Sequence, residues 1–280
     1  MVKIVTDTAS LFTAETGAAI GVTVIPLNVT IAGKTYREME EIKPAEFIEL
    51  VRQGNIPTSS QPSPGDTMEA YASASKHQPI LHITMADGLS GSYASACAVR
   101  ETMPNREYIT VLDSRTLCGP EGALVRKAAK LAEGGLDVRE IIMRLEENIE
   151  SSKSFLIPQD FGYLRRGGRL SPGAAHVGGL LKLVPLLVQS PDGKRLDKAG
   201  LCRSFTKAVE KCIEGFKRAG VDERYVITIS HADTFEQGSL AYSLISEAFR
   251  GTALELVDLT PAFITQGGPL CVAIQAILRV

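Results

Sequence analysis

The sequence predicts an α/β protein of two domains, and three observations carry that prediction. In the first half, short β-branched runs alternate with helix-period segments, which is typical of parallel strands joined by helical crossovers. In the second half, two apolar runs meet at a Pro-Asp-Gly turn, which indicates antiparallel pairing. The chain has 280 residues, of which 44% are hydrophobic, enough for one large core or two modest ones.

The elements of the first half follow from these patterns in order. The strands are predicted in the runs KIVTDT, VTVIPLNVTI, PILHITM and YITVLDS. Helices are predicted near 11–19, near 44–53, from about 91, and onward to about 150, with Pro44 in a first helical turn. We therefore predict a three-layer α/β/α domain with a mostly parallel sheet over residues 1–157.

The second half reads differently. Its predicted strands lie in PLLVQSPDGKRL, YVITISHA, ALELVDLTPAF and CVAIQAILRV, with amphipathic helices near 203–219 and 234–249. A mixed sheet with helices on one face fits this order better than a second doubly wound layer. We therefore predict a two-layer α/β domain over residues 158–280, packed closely on the first.

Composition excludes several functional classes. Lys and Arg total 30 against 32 Asp and Glu, so the charge offers no attraction to nucleic acid. No signal peptide and no uninterrupted membrane span are recognisable, and a cytoplasmic location is expected. The five cysteines never form a CxxC pair, so we expect reduced thiols and no metal site.

The most informative segment is ILHITMADGLSGSYASACAV, in which a strand breaks at Gly88 and a helix begins near Ser90 and Gly91. The first N–H groups of such a helix, together with its positive end, face whatever lies above the turn. With the Ser90 hydroxyl beside them, a carboxylate or phosphate is the expected guest. The alternative is that Ser90 only caps the helix.

A serine between a strand and a helix also resembles the nucleophile elbow of hydrolases. The GxSxG motif fails here because Ser92 stands where the second glycine should be. None of the four histidines has a spacing that selects it as a base. A serine esterase using Ser90 is therefore the less favoured alternative, and no motif for nucleotide hydrolysis, dinucleotide binding or zinc proteolysis is present.

Two further segments carry polar groups suited to an acid. In NIPTSSQPSPGD, prolines hold Thr58, Ser59 and Ser60 out of any helix, so a rigid loop of hydroxyls is predicted; Ser63 is expected to cap the helix that follows. In YLRRGGRLSPG, arginines surround paired glycines, and Arg169 could bring a guanidinium fork to an acid group. A solvated surface turn is the alternative for the arginines.

Taken together and in order, these segments resemble the DegV family of bacterial fatty-acid-binding proteins. The resemblance covers almost the whole chain. The matching pieces are IVTDTASL, VIPLNVTIAGKTY, PTSSQPSPG, GLSGSYASA, VLDS at 111–114, YLRRGGRLS, the DGKRL turn and TQGGP.

The resemblance implies a binding protein without a cofactor and without turnover of its own. A long-chain fatty acid such as palmitate, stearate or oleate would lie in a tunnel, its carboxylate at the interface of the two domains. A separate fatty acid kinase would phosphorylate it there.

The resemblance also assigns residues. Ser59, beside Thr58, matches a carboxylate-binding threonine of the family. Ser90 is the serine of its LSG motif, followed by Gly91, and Arg169 is the arginine of GGR. Arg203 matches an arginine that faces the kinase.

Three positions depart from the family pattern. Gln266 stands where the family has the histidine of His-Thr-Gly, so a neutral donor replaces an ionisable one near the head group. Asp87 replaces a serine, and Val184 replaces a lysine before Pro185. A carboxylate at position 87 would repel an anion unless it points away or is paired. A carrier or sensor of a different amphiphilic acid, without a kinase, therefore stays open as the alternative.

Overall fold

The computed structural model describes residues 1–175 and 183–279. The strands of this part are β1 (Lys3–Asp7), β2 (Val22–Ile25), β3 (Asn28–Ile31), β4 (Lys34–Arg37), β5 (Thr58–Ser60), β6 (Ile80–Thr84), β7 (Ile109–Asp113), β8 (Lys153–Ile157), β9 (Val184–Gln189), β10 (Leu196–Cys202), β11 (Tyr225–His231), β12 (Ala253–Asp258) and β13 (Val272–Leu278). The helices are α1 (Ala14–Ala18), α2 (Pro44–Arg52), α3 (Pro64–Tyr71), α4 (Ser92–Thr102), α5 (Cys118–Glu133), α6 (Val138–Ser151), α7 (Phe161–Gly167), α8 (Pro172–Ala175), α9 (Phe205–Arg218), α10 (Phe235–Ala248) and α11 (Pro261–Gly267).

The first sheet is entirely parallel. Its strand order is β2-β1-β6-β7. Successive side chains of β1 point to opposite faces: Ile4 packs in the core with α5 and α6, and Val5 packs in the core with α3 and α4. The predicted three-layer arrangement is confirmed.

The second sheet is mixed, as predicted. Its strand order is β10-β9-β8-β13-β11-β12, and β11 with β12 is the parallel pair. Helices α9 and α10 cover one face, where they share a core with Ile227 and Ile229 of β11. The Pro-Asp-Gly turn joins the antiparallel strands β9 and β10.

Helix α5 lies between the two sheets. It contacts β1 and β6 on one side, and β11 and β13 on the other. A Cβ atom at Gly119 would lie 2.3 Å from the Thr228 hydroxyl oxygen, so the helix approaches the second sheet more closely than a side chain would allow. The two halves of the chain therefore share one helical layer.

The residues of β8 lie at the end of the first domain as the sequence predicts it, although no strand is predicted there. These residues pair with β13 and with β9, so by strand pairing the second sheet begins at Lys153. The boundary after residue 157 stays a prediction about domains. The local pattern could not reveal this pairing because β13 lies at the opposite end of the chain.

A small third sheet corrects two predictions. The run VTVIPLNVTI is two strands in different sheets, because Pro26 lacks the N–H needed to continue a ladder. Thr58–Ser60, predicted as a loop, forms the edge strand β5 and pairs with β3. The order of this antiparallel sheet is β4-β3-β5.

The segment after β12 also differs from its prediction. The strand expected in ALELVDLTPAF ends at Asp258, and α11 begins at Pro261. Proline is suited to a first helical turn because its missing N–H would have no partner there. Gln266 therefore lies on a helix.

Candidate functional site

Helix α11 brings together the segments that the sequence singled out. It packs against β3 and β5 of the small sheet and against α7. Helix α7 leads directly into the GGR segment, whose Gly168 has a φ of 69° and ends the helix in the left-handed conformation. This packing places the hydroxyl strand, the arginine segment and Gln266 around one space.

The turn between β6 and α4 reaches the same space. Gly88 has a φ of 87°, and a Cβ atom there would lie 2.8 Å from the Cβ of Lys194, so only glycine fits. Ser90 accepts a hydrogen bond at its Oγ from the Ser92 N–H, 3.2 Å away. The N-cap residue of α4 is Gly91 and not Ser90, but the Ser90 Oγ accepts from the first N–H of the helix and also borders a pocket.

This pocket, called the polar pocket below, has three serines, an arginine and two glutamines on its walls. It is lined by Leu27, Ser59, Ser60, Gln61, Met85, Leu89, Ser90, Gly91, Arg169, Ala262, Phe263 and Gln266. Residues from distant parts of the sequence therefore meet at one place. Of the predicted ligand-binding residues, Ser59, Ser90, Gly91, Arg169 and Gln266 are brought together.

A second pocket, the apolar cavity, adjoins the polar pocket. It is lined by Met85, Leu89, Leu117, Cys118, Ser154, Phe155, Leu156, Leu164, Arg169, Leu196, Leu259, Phe263, Gln266, Gly267, Cys271, Ala273 and Gln275. The apolar cavity has a volume of about 90 Å³, which is several times the roughly 10–15 Å³ that one water molecule needs. The two pockets share five wall residues: Met85, Leu89, Arg169, Phe263 and Gln266.

Strand β5 separates two neighbours that the sequence treated alike. Ser59 is half-buried opposite Val29, and its Oγ accepts a hydrogen bond of 2.9 Å from the Gln266 Nε2. Thr58 is exposed and lines neither of the two pockets. The structure does not bring Thr58 to either pocket, and its part in the ligand site stays a prediction.

Arg169 lies between the two pockets and is half-buried. Its Nε donates to the Leu89 carbonyl at 2.9 Å, and its Nη1 donates to the Gly167 carbonyl. Burial, and then the positive charge of Arg195, lower the pKa of Arg169. The guanidinium remains charged at neutral pH, so it gives the polar pocket a fixed cation.

The side chain of Gln266 occupies space that is free because Gly167 has no side chain. A Cβ atom at Gly167 would lie 2.0 Å from the Gln266 Oε1. That Oε1 is buried and has no hydrogen-bond donor among the described residues. Gly167 therefore lets the amide of Gln266 lie flat against α7 while its Nε2 reaches Ser59.

The other family departures lie away from the pocket. The Asp87 carboxylate is 3.5 Å from the Lys194 ammonium and lines neither pocket. It is thus paired, and the repulsion considered for it does not reach the head-group space. Val184 packs against the core of the second sheet. Arg203 is exposed just after β10, and its contact with a kinase stays a prediction.

Sequence reasoning missed several wall residues. Met85 directly follows β6, so its place at the carboxyl end of a parallel strand was a usable signal. No usable signal pointed to Phe263, because its segment was predicted as a strand and not as the first turn of α11. Sequence reasoning also missed three acids, Asp7, Glu38 and Glu121, each of which is fully buried.

These acids have shifted pKa values. Burial raises the pKa of Asp7 to about 6, against a smaller lowering by the Ala9 N–H and the Ser92 hydroxyl. Burial raises that of Glu38 to about 7, although Thr8 and the Ala262 N–H hydrogen bond to it. The pKa of Glu121 is also raised well above its usual value by burial.

The described residues offer no catalytic histidine to Ser90. No histidine of residues 1–175 and 183–279 lines either pocket. His82 is buried against the Tyr71 hydroxyl, 2.7 Å from its Nδ1, and burial lowers its pKa to about 3. No group of potential metal ligands is found in residues 1–175 and 183–279, and no helix within those ranges is both long and apolar enough to cross a bilayer.

Comparison with solved structures extends these observations. A DegV family protein from Thermus thermophilus, described as binding fatty acid, superposes with a TM-score of 0.88 at 27% identity, covering 99% of both chains. DegV from Bacillus subtilis, described as a fatty acid binding protein, gives a TM-score of 0.87 at 26% identity, again covering 99% of both.

Sequence comparison points the same way. A DegV domain-containing protein of Caldanaerobacter subterraneus is 35% identical over 240 residues, which is 84% of each chain. The family model described as "Uncharacterised protein, DegV family" matches residues 1–279. With nearly the full length matched, and with the motifs of the family gathered around one pocket, this chain belongs to the DegV family.

Proposed function

We propose that this chain is a lipid-binding protein that holds one long-chain fatty acid and presents it to a fatty acid kinase. The observation that carries the proposal is that the two pockets adjoin and share five wall residues. A polar space beside an apolar one matches a molecule with a polar head and a hydrocarbon tail. Relatives described as fatty acid binding proteins support the choice of ligand.

The polar pocket suits a carboxylate. Removing this group from water costs several kcal/mol, and each hydrogen bond to a charged group returns about 1.5–3 kcal/mol. Ser59 and Ser90 offer hydroxyls, Arg169 offers a fixed positive charge, and α4 begins just after Gly91. Together these groups offset the cost with little surplus, so they set orientation more than affinity.

The apolar cavity would supply the affinity. Each buried methylene contributes about 0.8 kcal/mol, so a chain the length of palmitate, stearate or oleate yields on the order of 10 kcal/mol before ordering costs. Met85, Leu89 and Phe263 form the passage between head and tail. The walls beyond this passage are mostly leucine, cysteine and phenylalanine.

Binding without turnover is the role that the pocket chemistry favours. The Ser90 hydroxyl lies beside another serine, 2.9 Å from the Ser92 Oγ, and no described histidine reaches it. An esterase would need a base at that place to activate the serine. Ser90 is therefore a hydrogen-bonding group in this proposal, and the phosphoryl transfer belongs to the kinase.

The first experiment measures binding with purified, delipidated protein. We expect palmitate and oleate to raise the melting temperature, and the Ser90→Ala variant to bind roughly tenfold more weakly through loss of one charged hydrogen bond. Mass spectrometry of ligand copurified from the expression host identifies the preferred acid. Absence of any thermal shift would remove the main support for the lipid proposal, and a copurified amphiphile of another class would favour the alternative carrier.

The second experiment tests the kinase half of the proposal. A bacterial fatty acid kinase with ATP is expected to phosphorylate the bound acid. Replacing exposed Arg203 by Glu should slow that reaction without changing fatty acid binding, whereas Arg218→Glu, on the exposed end of α9, is the matched control. Equal rates for all three proteins would contradict the role proposed for Arg203.

A further inference from the structure

The apolar cavity has two buried polar side chains in its wall. Gln275 of β13 and Ser154 of β8 both line it, and they are 2% and 7% exposed. The two residues lie opposite each other in the antiparallel pairing of these strands. Ala273, which shares a face of β13 with Gln275, lines the cavity as well. The space proposed for the hydrocarbon tail therefore contains a polar patch, Ser154 and Gln275, called the polar pair below.

The orientation of the Gln275 amide is fixed by the groups that its nitrogen contacts. The Nε2 donates to the Leu117 carbonyl at 3.1 Å and to the Ser154 Oγ at 2.9 Å. A carbonyl oxygen only accepts hydrogen bonds, so the amide nitrogen and not the amide oxygen must face Leu117. Both amide hydrogens are thereby used, and they connect β13 to β8 and to the residue before α5.

The oxygen of the same amide has no donor. The Gln275 Oε1 is buried and has no hydrogen-bond partner among the described residues. A buried acceptor of this kind destabilises a structure, because it has lost its contact with water without gaining another hydrogen bond. The contacts with Leu117 and Ser154 involve only the nitrogen and do not satisfy it. A donor is therefore expected from the molecule that occupies the cavity.

Ser154 supplies a donor beside this free acceptor. Its Oγ accepts from the Gln275 Nε2 and forms no other hydrogen bond within the described ranges, so its own hydrogen can be donated. Amide bond lengths separate the oxygen and nitrogen of one amide by about 2.3 Å, which places the Gln275 Oε1 within about 5.2 Å of the Ser154 Oγ. One hydroxyl group can bridge that separation, since each of its hydrogen bonds is about 2.7–2.8 Å long.

We propose that the polar pair is a specificity site for a hydroxyl group on the tail of the ligand, so that the preferred ligand is a hydroxylated long-chain fatty acid. The hydroxyl accepts a hydrogen bond from Ser154 and donates one to the Gln275 Oε1. A ketone or a double bond cannot donate, whereas a hydroxyl both donates and accepts. The inference rests on the proposed function, since it needs a fatty acid whose tail fills the apolar cavity.

The place of the polar pair restricts where the hydroxyl is attached. Ser154 and Gln275 line the apolar cavity but not the polar pocket. In the proposed function the carboxylate lies in the polar pocket, and the passage past Met85, Leu89 and Phe263 separates it from the tail. A hydroxyl on the carbon next to the carboxylate stays on the head-group side of that passage. A hydroxyl in the middle or at the end of the chain reaches the polar pair.

The test compares matched acids on the delipidated whole protein by competition with a fluorescent fatty acid. Palmitate is compared with 16-hydroxypalmitate and 2-hydroxypalmitate, and stearate with 12-hydroxystearate. Sites that hydrogen bond a hydroxyl discriminate strongly against analogues without it, because their buried polar groups are then left unpaired. We expect 16-hydroxypalmitate or 12-hydroxystearate to bind about tenfold or more tightly than its parent acid, and 2-hydroxypalmitate to show no gain.

Three variants locate this preference, and the ratio of affinities between each hydroxylated acid and its parent is the measurement. Gln275→Met removes the free acceptor with little change in volume, so the ratio should fall close to one. Ser154→Ala removes the donor and should reduce the ratio. Ser230→Ala is the matched control, because Ser230 is a fully buried serine of β11 that lines neither pocket, and it should keep the ratio of the wild-type protein.

The outcomes separate this inference from the proposed function. If none of the acids binds, the proposed function fails and the inference fails with it. If palmitate and stearate bind but neither tail-hydroxylated acid binds more tightly, the inference fails while lipid binding stands. A ratio that is unchanged in both Gln275→Met and Ser154→Ala would also overturn it. Should Gln275→Met not fold, as judged by circular dichroism, the wild-type comparison and Ser154→Ala still decide.

Discussion

Gly167 sets the position of a residue that it does not hydrogen bond. Its missing side chain leaves room for the Gln266 Oε1, which a Cβ atom would approach to 2.0 Å. We expect Gly167→Ala to displace the flexible end of Gln266, break its hydrogen bond to Ser59, and weaken oleate binding about tenfold, since such a bond contributes about 1–1.5 kcal/mol. The melting temperature should change little.

The matched control is Gly173→Ala. Nothing lies within 4 Å of the Cβ atom that this change adds, so oleate titration should match the wild-type protein. Equal affinities for Gly167→Ala and Gly173→Ala would mean that Gln266 does not need its observed position.

Among single residues, the sequence predicted those that stand in short distinctive motifs. Ser90, Arg169 and Ser59 were found because a serine at a strand-to-helix turn, an arginine beside paired glycines and a hydroxyl run between prolines each have a local chemical meaning. Asp7 and Glu38 were not found. Their importance arises from complete burial, and burial is decided by segments far away in the chain.

Strand β5 is the element whose geometry changes a prediction most. A loop of hydroxyls would have allowed Thr58 and Ser59 to act together, but in β5 Ser59 lines the polar pocket and Thr58 lines neither pocket. We expect Ser59→Ala to weaken oleate binding by about three- to tenfold, from loss of a hydrogen bond contributing about 1 kcal/mol. Thr58→Ala should bind as the wild type does, as measured by the same fluorescence or calorimetric titration.

An equal loss of oleate affinity in Ser59→Ala and Thr58→Ala would contradict the position of Thr58 outside both pockets. The sequence could not distinguish the two residues because a three-residue edge strand has no periodicity to read. It recovered the long elements with clear patterns, such as α9 and β11, and it misread α11, a helix of only seven residues that begins at a proline.

The whole molecule should lose stability as the pH rises from about 4 to 7. Burial raises the pKa of Asp7 to about 6 and that of Glu38 to about 7, whereas in the unfolded chain both lie near 4. Between these values the folded state binds more protons than the unfolded state, so the free energy of unfolding decreases with pH. Each of these two carboxyl groups can lower the free energy of unfolding by up to about 3 kcal/mol over this pH range.

Urea denaturation at pH 5, 6 and 7.5 checks this expectation. The midpoint should be highest at pH 5, and Glu38→Gln should reduce the dependence of the midpoint on pH because it removes one of the buried acids with a raised pKa. Glu133→Gln changes an exposed carboxylate at the end of α5 and should leave the dependence as it is. A midpoint that rises steadily with pH, with no effect of Glu38→Gln, would contradict the assignment.

The shared helix α5 limits how a hydrocarbon chain can reach the interior. Swinging the two sheets apart would strip α5 from one of them and expose the close contact of Gly119 with Thr228. That motion would cost much of the apolar burial that folds the protein. For the proposed fatty acid, we therefore expect a route between the pockets past Arg169 and Phe263, which line both, while both sheets keep their places. If so, the rate of fatty acid exchange should respond to the size of these side chains far more than to any loosening of the two halves.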